Sequence, residues 1–456
     1  MTNGYGITQK NKTMDREKVE KEISPSKQYS IPQPIVIKEY AKNFLVIAVE
    51  TANWIVLQSQ EQLTFFNLLK ENTIEQALSK FKGCVKDAEY VVMQLEARDF
   101  ENQEVMLKSD ATVMHIALTS ACNMRCPHCY MYAGKKQDDE MTTEEILSLI
   151  ANFKKYGGKH LVLTGGEICT REDLMLIISE ANKLNLDVEL LTNGTLWSDD
   201  MIEAVCNKVR RVQISIDGYN ETVNAKIRGK NNFKKALDTV EKFLQHGTKV
   251  NVAITPFYDK EFLDNFSEYS NFSKNLMNKY RDFPFSVSFN GALLDGRELH
   301  LTDKEKANYQ RIIRKITEES MDEKLDNSFV NFHRAKGIEN NCSYGNISVN
   351  PNGDTFFCAA IPTTTPFANV KTMGYEAIDK ISKMAIESSN VNNIEPCRNC
   401  ELKYICGGDC RIQYFTDFKN CGNIESIAAH PKRVCDETTK NEFYELMIST
   451  NELLFV

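Results

Sequence analysis

Residues 122–129 read Cys122-Asn123-Met124-Arg125-Cys126-Pro127-His128-Cys129, a Cys-x3-Cys-x2-Cys run that puts three thiols on one short loop. Single buried cysteines are ordinary packing residues, but three at this spacing are not explained by packing. Three thiolates converging from one loop can hold three irons of a four-iron cluster and leave the fourth without a protein ligand. Just upstream, Val113–Leu118 is an apolar run that alternates poorly and reads as a buried strand. The loop therefore leaves the end of a strand.

Downstream the pattern becomes strand, loop, helix, repeated. Strands are expected at His160–Leu163, Val188–Leu191, Val212–Ile216, Lys249–Ile254 and Phe285–Phe289. Helices are expected at Thr143–Tyr156, Arg171–Leu184, Ser198–Asn207, Asn232–His246 and around Lys260–Tyr280. Repeated βα units imply a parallel sheet with right-handed crossovers, and six of them fit an α/β fold of partial (β/α)6 TIM-barrel type. Sites in such sheets lie at the strand C-terminal ends. The polar junctions fall there: Thr164-Gly165-Gly166-Glu167, Thr192-Asn193-Gly194-Thr195 and Ser215-Ile216-Asp217-Gly218. Paired glycines let a backbone approach a ligand closely, and Glu167 adds a negative charge. A charged helix, Thr302–Glu319, then leads to a polar linker near 320–340.

At 456 residues the chain is long enough for two or three domains. Hydrophobic residues at 42%, charged residues at 26% and a mean hydropathy of −0.40 describe a soluble globular protein. A net charge of −8 argues against non-specific nucleic-acid binding. No apolar run approaches the ~20 residues of a membrane span, and the first residues lack the apolar core of a secretory signal. A cytoplasmic location is expected. In that reducing setting, 14 cysteines in clusters point to metal or catalysis, not disulfides.

Residues 1–30 are polar and without periodicity, and are expected to be a disordered tail. Residues 31–105 form a small unit with strands at Ile35–Tyr40, Phe44–Val49 and Asn53–Leu57. Helices capped by Ser59 and Thr73 follow, then a third over Lys86–Leu95. At the other end, from residue 335 to 456, a second cysteine array begins with Cys342 and Cys358 flanking a predicted hairpin whose turn is Pro351-Asn352-Gly353. It continues as Cys397-x2-Cys400-x5-Cys406-x3-Cys410, then Cys435. Four such thiols satisfy one zinc ion, whereas seven suit two iron–sulfur clusters better. Cys84, Cys169, Cys206 and Cys421 stand outside these groups as small hydrophobes, although Cys421 competes with Cys435 as a last ligand.

Taken in order, the cysteine loop, the Gly-Gly-Glu and the Ser-x-Asp junction over residues 108–325 resemble the radical S-adenosylmethionine (SAM) enzymes. Ile168 stands where that family usually has proline. The array after residue 335 resembles the SPASM extension of radical SAM maturases. The N-terminal unit resembles the winged-helix-like leader-recognition element of enzymes that modify ribosomally made peptides.

The resemblance implies a [4Fe–4S] cluster on Cys122, Cys126 and Cys129 that binds SAM. Gly165, Gly166, Glu167, Asn193, Ser215 and Arg228 would form the SAM pocket. It implies two auxiliary [4Fe–4S] clusters, one on Cys342, Cys358 and Cys410 and one on Cys397, Cys400, Cys406 and Cys435. The first has three assigned thiols, so either an open iron site or Cys421 completes it. The implied activity is reductive cleavage of SAM to a 5'-deoxyadenosyl radical that installs a thioether or carbon–carbon cross-link in a precursor peptide. The peptide would be held by the N-terminal domain, and electrons would come from a donor such as flavodoxin or ferredoxin. Two other readings stay open: a formylglycine-type maturase of a protein such as a sulfatase, and a non-catalytic iron–sulfur or zinc-binding protein.

Overall fold

A computed structural model describes residues 4–8, 23–102, 113–291, 293–320, 337–360, 365–408, 411, 435 and 437–455, with backbone alone for 4–8, Leu453 and Leu454. Its first strand, β1 (Gly4–Thr8), is followed by the N-terminal unit. There β2 (Ile35–Tyr40), β3 (Asn43–Ala48) and β4 (Asn53–Leu57) form an antiparallel sheet in that order. Three helices succeed it: α1 (Gln60–Leu69), α2 (Ile74–Lys80) and α3 (Val85–Ala97). Ser59 caps α1 by accepting from the Gln62 amide, and Thr73 and Gln76 make a reciprocal capping box on α2.

Side chains alternate across a strand, so each strand presents two faces. Both faces of β3 and β4 are buried, whereas β2 is half-buried or exposed along its length. Val46, Ala48, Ile55 and Leu57 pack on the three helices. Leu45, Ile47, Trp54 and Val56 pack on Leu402, Cys406, Tyr444 and Met447 from the C-terminal part of the chain.

The central unit alternates as expected. Its strands are β5 (Val113–Ala117), β6 (His160–Thr164), β7 (Asp187–Thr192), β8 (Arg211–Ser215), β9 (Val250–Ile254) and β10 (Phe285–Asn290). They pair in parallel in chain order. The outer helices are α4 (Thr143–Lys155), α5 (Leu174–Lys183), α6 (Asp199–Val205), α7 (Glu221–Arg228), α8 (Asn232–Gln245) and α9 (Lys260–Lys279), followed by α10 (Asp303–Glu319). Strand residues such as Leu161, Leu163, Leu190, Ile214 and Val252 are fully buried between barrel and helices. The short helix α7 was not expected from the sequence.

Two features extend the sheet beyond the barrel. The predicted hairpin is present as β11 (Ile347–Val349) and β12 (Asp354–Phe356), with β13 (Ala368–Asn369) beside it. It is not a separate appendage, because β11 pairs in parallel with β5. On the opposite edge β1 pairs antiparallel with β10, giving ten strands in the order β1-β10-β9-β8-β7-β6-β5-β11-β12-β13.

The expectation that residues 1–30 form a disordered tail is therefore corrected at two places. Residues 4–8 satisfy the otherwise unpaired backbone groups of the β10 edge. Tyr29 is buried in the N-terminal core, and Lys27 sits 2.5 Å from Glu96 and 2.8 Å from Glu101. The partners lie far along the chain, so local composition carries no sign of them. The 320–340 linker falls largely outside the described residues.

Candidate functional site

The loop that carries the three thiols leaves β5 and folds back along the end of β6. The Cys122 amide donates to Gly134 O at 2.9 Å and the Cys129 amide to Cys126 O at 3.2 Å, closing a compact turn. The Gly166 amide donates to Thr119 O (2.7 Å) and the Glu167 amide to Ala121 O (2.8 Å), so the loop lies directly on the Gly-Gly-Glu junction. A Cβ on Gly166 would fall 2.1 Å from Ala121 O, and one on Gly165, which has φ +140°, would fall 2.5 Å from Thr119 O. What the glycines admit so closely is the backbone of the thiol loop itself.

Glu167 is wholly buried. Its carboxylate accepts from Thr192 Oγ1 at 2.6 Å, from the Asn193 amide at 2.7 Å and from the Cys169 amide at 3.2 Å. Burial pushes its pKa up, against these donors. Its observed partners thus join β6 to β7. Asn193 adds a second tie, its Nδ2 donating to Asn123 Oδ1 in the thiol loop at 2.8 Å. Thr195 Oγ1 in turn accepts from Asn123 Nδ2 at 3.0 Å.

Beyond Ser215, the last residue of β8, and Ile216 comes Asp217, fully buried. Asp217 Oδ1 accepts from the Thr255 amide at 2.9 Å, while Oδ2 lies 2.6 Å from Arg228 Nε and 3.2 Å from His128 Nε2. Burial alone would raise the Asp217 pKa; Arg228 and then His128 outweigh it and hold the carboxyl at about 2. The Arg228 charge also reaches Cys126 and Cys122. Burial pushes the Cys126 thiol up to about 11 against that cation, and raises Cys122 as well. Gly165, Gly166, Glu167 and Asn193 thus lie against the thiol loop, Arg228 is within electrostatic reach of Cys126 and Cys122, and Ser215 ends β8 at the same C-terminal side of the sheet.

Several residues that frame the loop were not singled out from sequence. Glu140 is buried and accepts from Thr119 Oγ1 (3.1 Å) and the Ser120 amide (2.7 Å). Arg297 Nη1 donates to Cys126 O at 3.0 Å, and its other terminal nitrogen donates to Ala133 O. Gly296 packs so tightly that a Cβ would lie 2.5 Å from the His128 carbonyl carbon. His128 and Asp217 were visible as letters in the motifs, but their pairing joins segments far apart in the chain.

The C-terminal thiols form a second locus. Cys397, Cys400, Cys406 and Cys435 line one open cavity of about 190 Å³, with Leu402, Lys440 and Phe443 also in its wall. Lys440 Nζ is 3.1 Å from both Glu401 carboxylate oxygens. Burial pushes the Cys400 thiol up to about 12. Cys342 and Cys358 pack together with Tyr344, Phe357 and Cys397. Cys410, assigned to the first auxiliary group, and its competitor Cys421 lie outside the described residues.

The donor set fits iron–sulfur clusters. Cys122, Cys358 and Cys400 share one local geometry, each sulfur accepting at 3.4 Å from the amide two residues on (Met124, Ala360 and Leu402). Amide donors to sulfur are one means by which proteins hold and tune such clusters. Among the described residues, no three His, Cys, Asp or Glu side chains close on a single metal ion. A cluster spreads its thiolates over separate irons and does not require that closeness.

Comparison with known proteins places this architecture. Residues 116–272 match the Radical SAM superfamily, so the barrel is a radical SAM domain. The chain is 32% identical over 142 residues to the sporulation killing factor maturation protein SkfB of Bacillus subtilis (strain 168), covering 31% of this chain and 34% of that protein. It is 33% identical over 159 residues to GTP 3',8-cyclase of Clostridium perfringens (strain SM101 / Type A), covering 33% of this chain and 49% of the relative. The alignments thus span between a third and a half of these relatives' length. Native anSMEcpe with bound AdoMet shares the fold at 17% identity and a TM-score of 0.54, over 75% of this chain and 100% of that one. Among the described residues, no helix is long and apolar enough to cross a membrane.

Proposed function

We propose that this chain is a radical SAM peptide maturase of the SPASM type, which installs a thioether or carbon–carbon cross-link in a ribosomally synthesised precursor peptide. One observation carries the reading beyond its radical SAM domain: Cys397, Cys400, Cys406 and Cys435 line one cavity, two of whose wall residues, Leu402 and Cys406, pack on the N-terminal sheet. A radical SAM barrel needs only the first three thiols. The further cavity and the sheet unit against it suit a reaction in which electrons leave a substrate already held nearby. SkfB, a maturation protein by name, is among the similar proteins. GTP 3',8-cyclase is named for a nucleotide instead; the winged-helix-like unit over residues 23–102 favours an extended peptide, which can add to a sheet edge.

When bound at Cys122, Cys126 and Cys129, a four-iron cluster with SAM supplies the reducing electron and the radical that removes a substrate hydrogen. The chain's own residues do the rest. Cys122, Cys126 and Cys129 hold the cluster. Gly165 and Gly166 bring the loop against β6, and Glu167 locks β6 to β7. Asn193, Ser215 and Arg228 face the same strand ends and would complete the SAM pocket. Cys342, Cys358 and Cys410 would hold one auxiliary cluster, and Cys397, Cys400, Cys406 and Cys435 the other. An electron carrier such as flavodoxin or ferredoxin would serve as donor.

The test is direct. Anaerobically reconstituted protein should hold well above four irons per chain, towards about twelve for three clusters. On reduction it should convert SAM to 5'-deoxyadenosine. Cys126→Ala should abolish that cleavage, whereas Cys406→Ala should keep it and stop cross-linking, read by mass spectrometry as no loss of hydrogens from the peptide. Iron uptake without any 5'-deoxyadenosine would show a binding protein instead.

A further inference from the structure

We propose that Asp217 is a positioning residue: its Oδ2 holds His128 and Arg228 together and so sets the charge that the thiol loop experiences. The inference rests on the reading that Cys122, Cys126 and Cys129 carry an iron–sulfur cluster.

The geometry is specific. Asp217 is anchored from four sides, each in a different element. Its amide donates to Asn224 Oδ1 in α7 at 3.0 Å, its carbonyl accepts from Tyr269 in α9 at 3.2 Å, and its Oδ1 accepts from Thr255 beyond β9 at 2.9 Å. It lies two residues past the end of β8. Only Oδ2 is left over, and that one oxygen is shared by Arg228 Nε (2.6 Å) and His128 Nε2 (3.2 Å). His128 lies between Pro127 and Cys129, so the carboxylate fastens the thiol loop to the far side of the barrel mouth. Arg228 is the last residue of α7 and sits within electrostatic reach of Cys126 and Cys122.

The charges therefore have opposing effects. Reducing a cluster adds an electron, which a nearby cation favours and a nearby anion disfavours. With Asp217 in place the guanidinium charge is largely compensated, which would keep a cluster held by these thiols hard to reduce, that is, at low potential. Removing the aspartate charge leaves the cation alone beside the thiols.

The experiment is an EPR-monitored redox titration of the reconstituted full-length protein without SAM, following the signal that Cys126→Ala removes. Asp217→Asn, nearly isosteric, should move that midpoint to more positive potential. Arg228→Gln should move it to more negative potential, and the double variant should return close to wild type. All three should bind iron to the wild-type level. A purely structural role predicts lower melting temperatures with no opposed shifts, and that outcome, or shifts of the same sign, overturns the proposal. If Asp217→Asn does not fold, Arg228→Gln against Arg228→Lys decides: the lysine should retain the wild-type midpoint, and equal shifts in both reject the idea. Absence of the signal in wild type would instead defeat the cluster reading itself.

Discussion

Gly166 shows how closely the thiol loop and the barrel are fitted. A methyl group there would sit 2.1 Å from the Ala121 carbonyl oxygen, backbone that cannot swing aside. Gly166→Ala should therefore displace the loop, not merely reduce ligand affinity. We expect iron content to fall by the share of one cluster and 5'-deoxyadenosine formation to drop at least tenfold, while the cavity thiols keep their iron. At Asp217 the expectation concerns pH. Its folded pKa of about 2 lies below the ordinary carboxylate value near 4. Its stabilising contribution, on the order of 2 kcal/mol, is thus complete above pH 4 and is lost as pH falls towards 2. The difference in urea midpoint between wild type and Asp217→Asn should narrow steadily from pH 5 downward. A constant difference would mean that folding leaves the Asp217 pKa unshifted. Both residues were legible as motif letters, Gly166 in Thr-Gly-Gly-Glu and Asp217 in Ser-x-Asp-Gly. What the letters do not carry is the contact: the close neighbour of Gly166 is the chain's own backbone, and His128 meets Asp217 only because the barrel closes.

At the scale of elements, the strands and long helices were readable because their periods are unambiguous. The capping signals at Ser59 and Thr73 stand where the structure has helix starts, and the helix expected from Thr302 starts on a Thr302 cap. Helix α7 escaped that reading. It spans eight residues, mostly polar, and only Val223, Asn224 and Ile227 are buried. Periodicity needs more than two turns to declare itself. The signal that was present is Asn220, whose side chain accepts from the Val223 amide at 2.9 Å. Asn220→Ala should cost about 1 kcal/mol, and because α7 ends in Arg228, it should weaken SAM binding more than remote cap losses of equal cost. Thr302→Ala on α10 is the control: a similar fall in urea midpoint with SAM affinity unchanged in equilibrium dialysis. The hairpin β11–β12 was likewise expected, but its parallel pairing with β5 was not. Such pairing joins segments more than two hundred residues apart (Val349 to Ile116), and an edge strand does not announce its partner.

For the whole molecule, the consequential surprise is how the N-terminal unit is seated. Sequence alone presents it as a small unit of its own over residues 31–105. The structure gives its sheet a second apolar face, where Leu45, Ile47, Trp54 and Val56 lie against Leu402, Cys406, Tyr444 and Met447. Polar contacts fasten the same seam: Lys403 to Glu50 at 2.8 Å, Tyr40 to Glu445 at 2.8 Å, and Asn451 to Tyr90 at 2.7 Å. Strands β3 and β4, buried on both sides, cannot be removed without exposing what they cover, at roughly 25 cal/mol for each Å² of apolar surface returned to water. Deleting residues 23–102 should therefore strip the Cys397–Cys435 cavity of its iron although every cysteine is retained, and should lower solubility. The barrel should keep its own cluster, so SAM cleavage should survive in whatever protein remains soluble. A milder probe separates the two roles of the unit. Trp54→Ala, expected to cost about 3–5 kcal/mol as a large buried aromatic, opens the seam while leaving the outer sheet edge intact. Its auxiliary iron should fall well before SAM cleavage does. Auxiliary iron retained in full after the deletion would mean that the C-terminal cavity holds itself together, with the N-terminal sheet only resting on it.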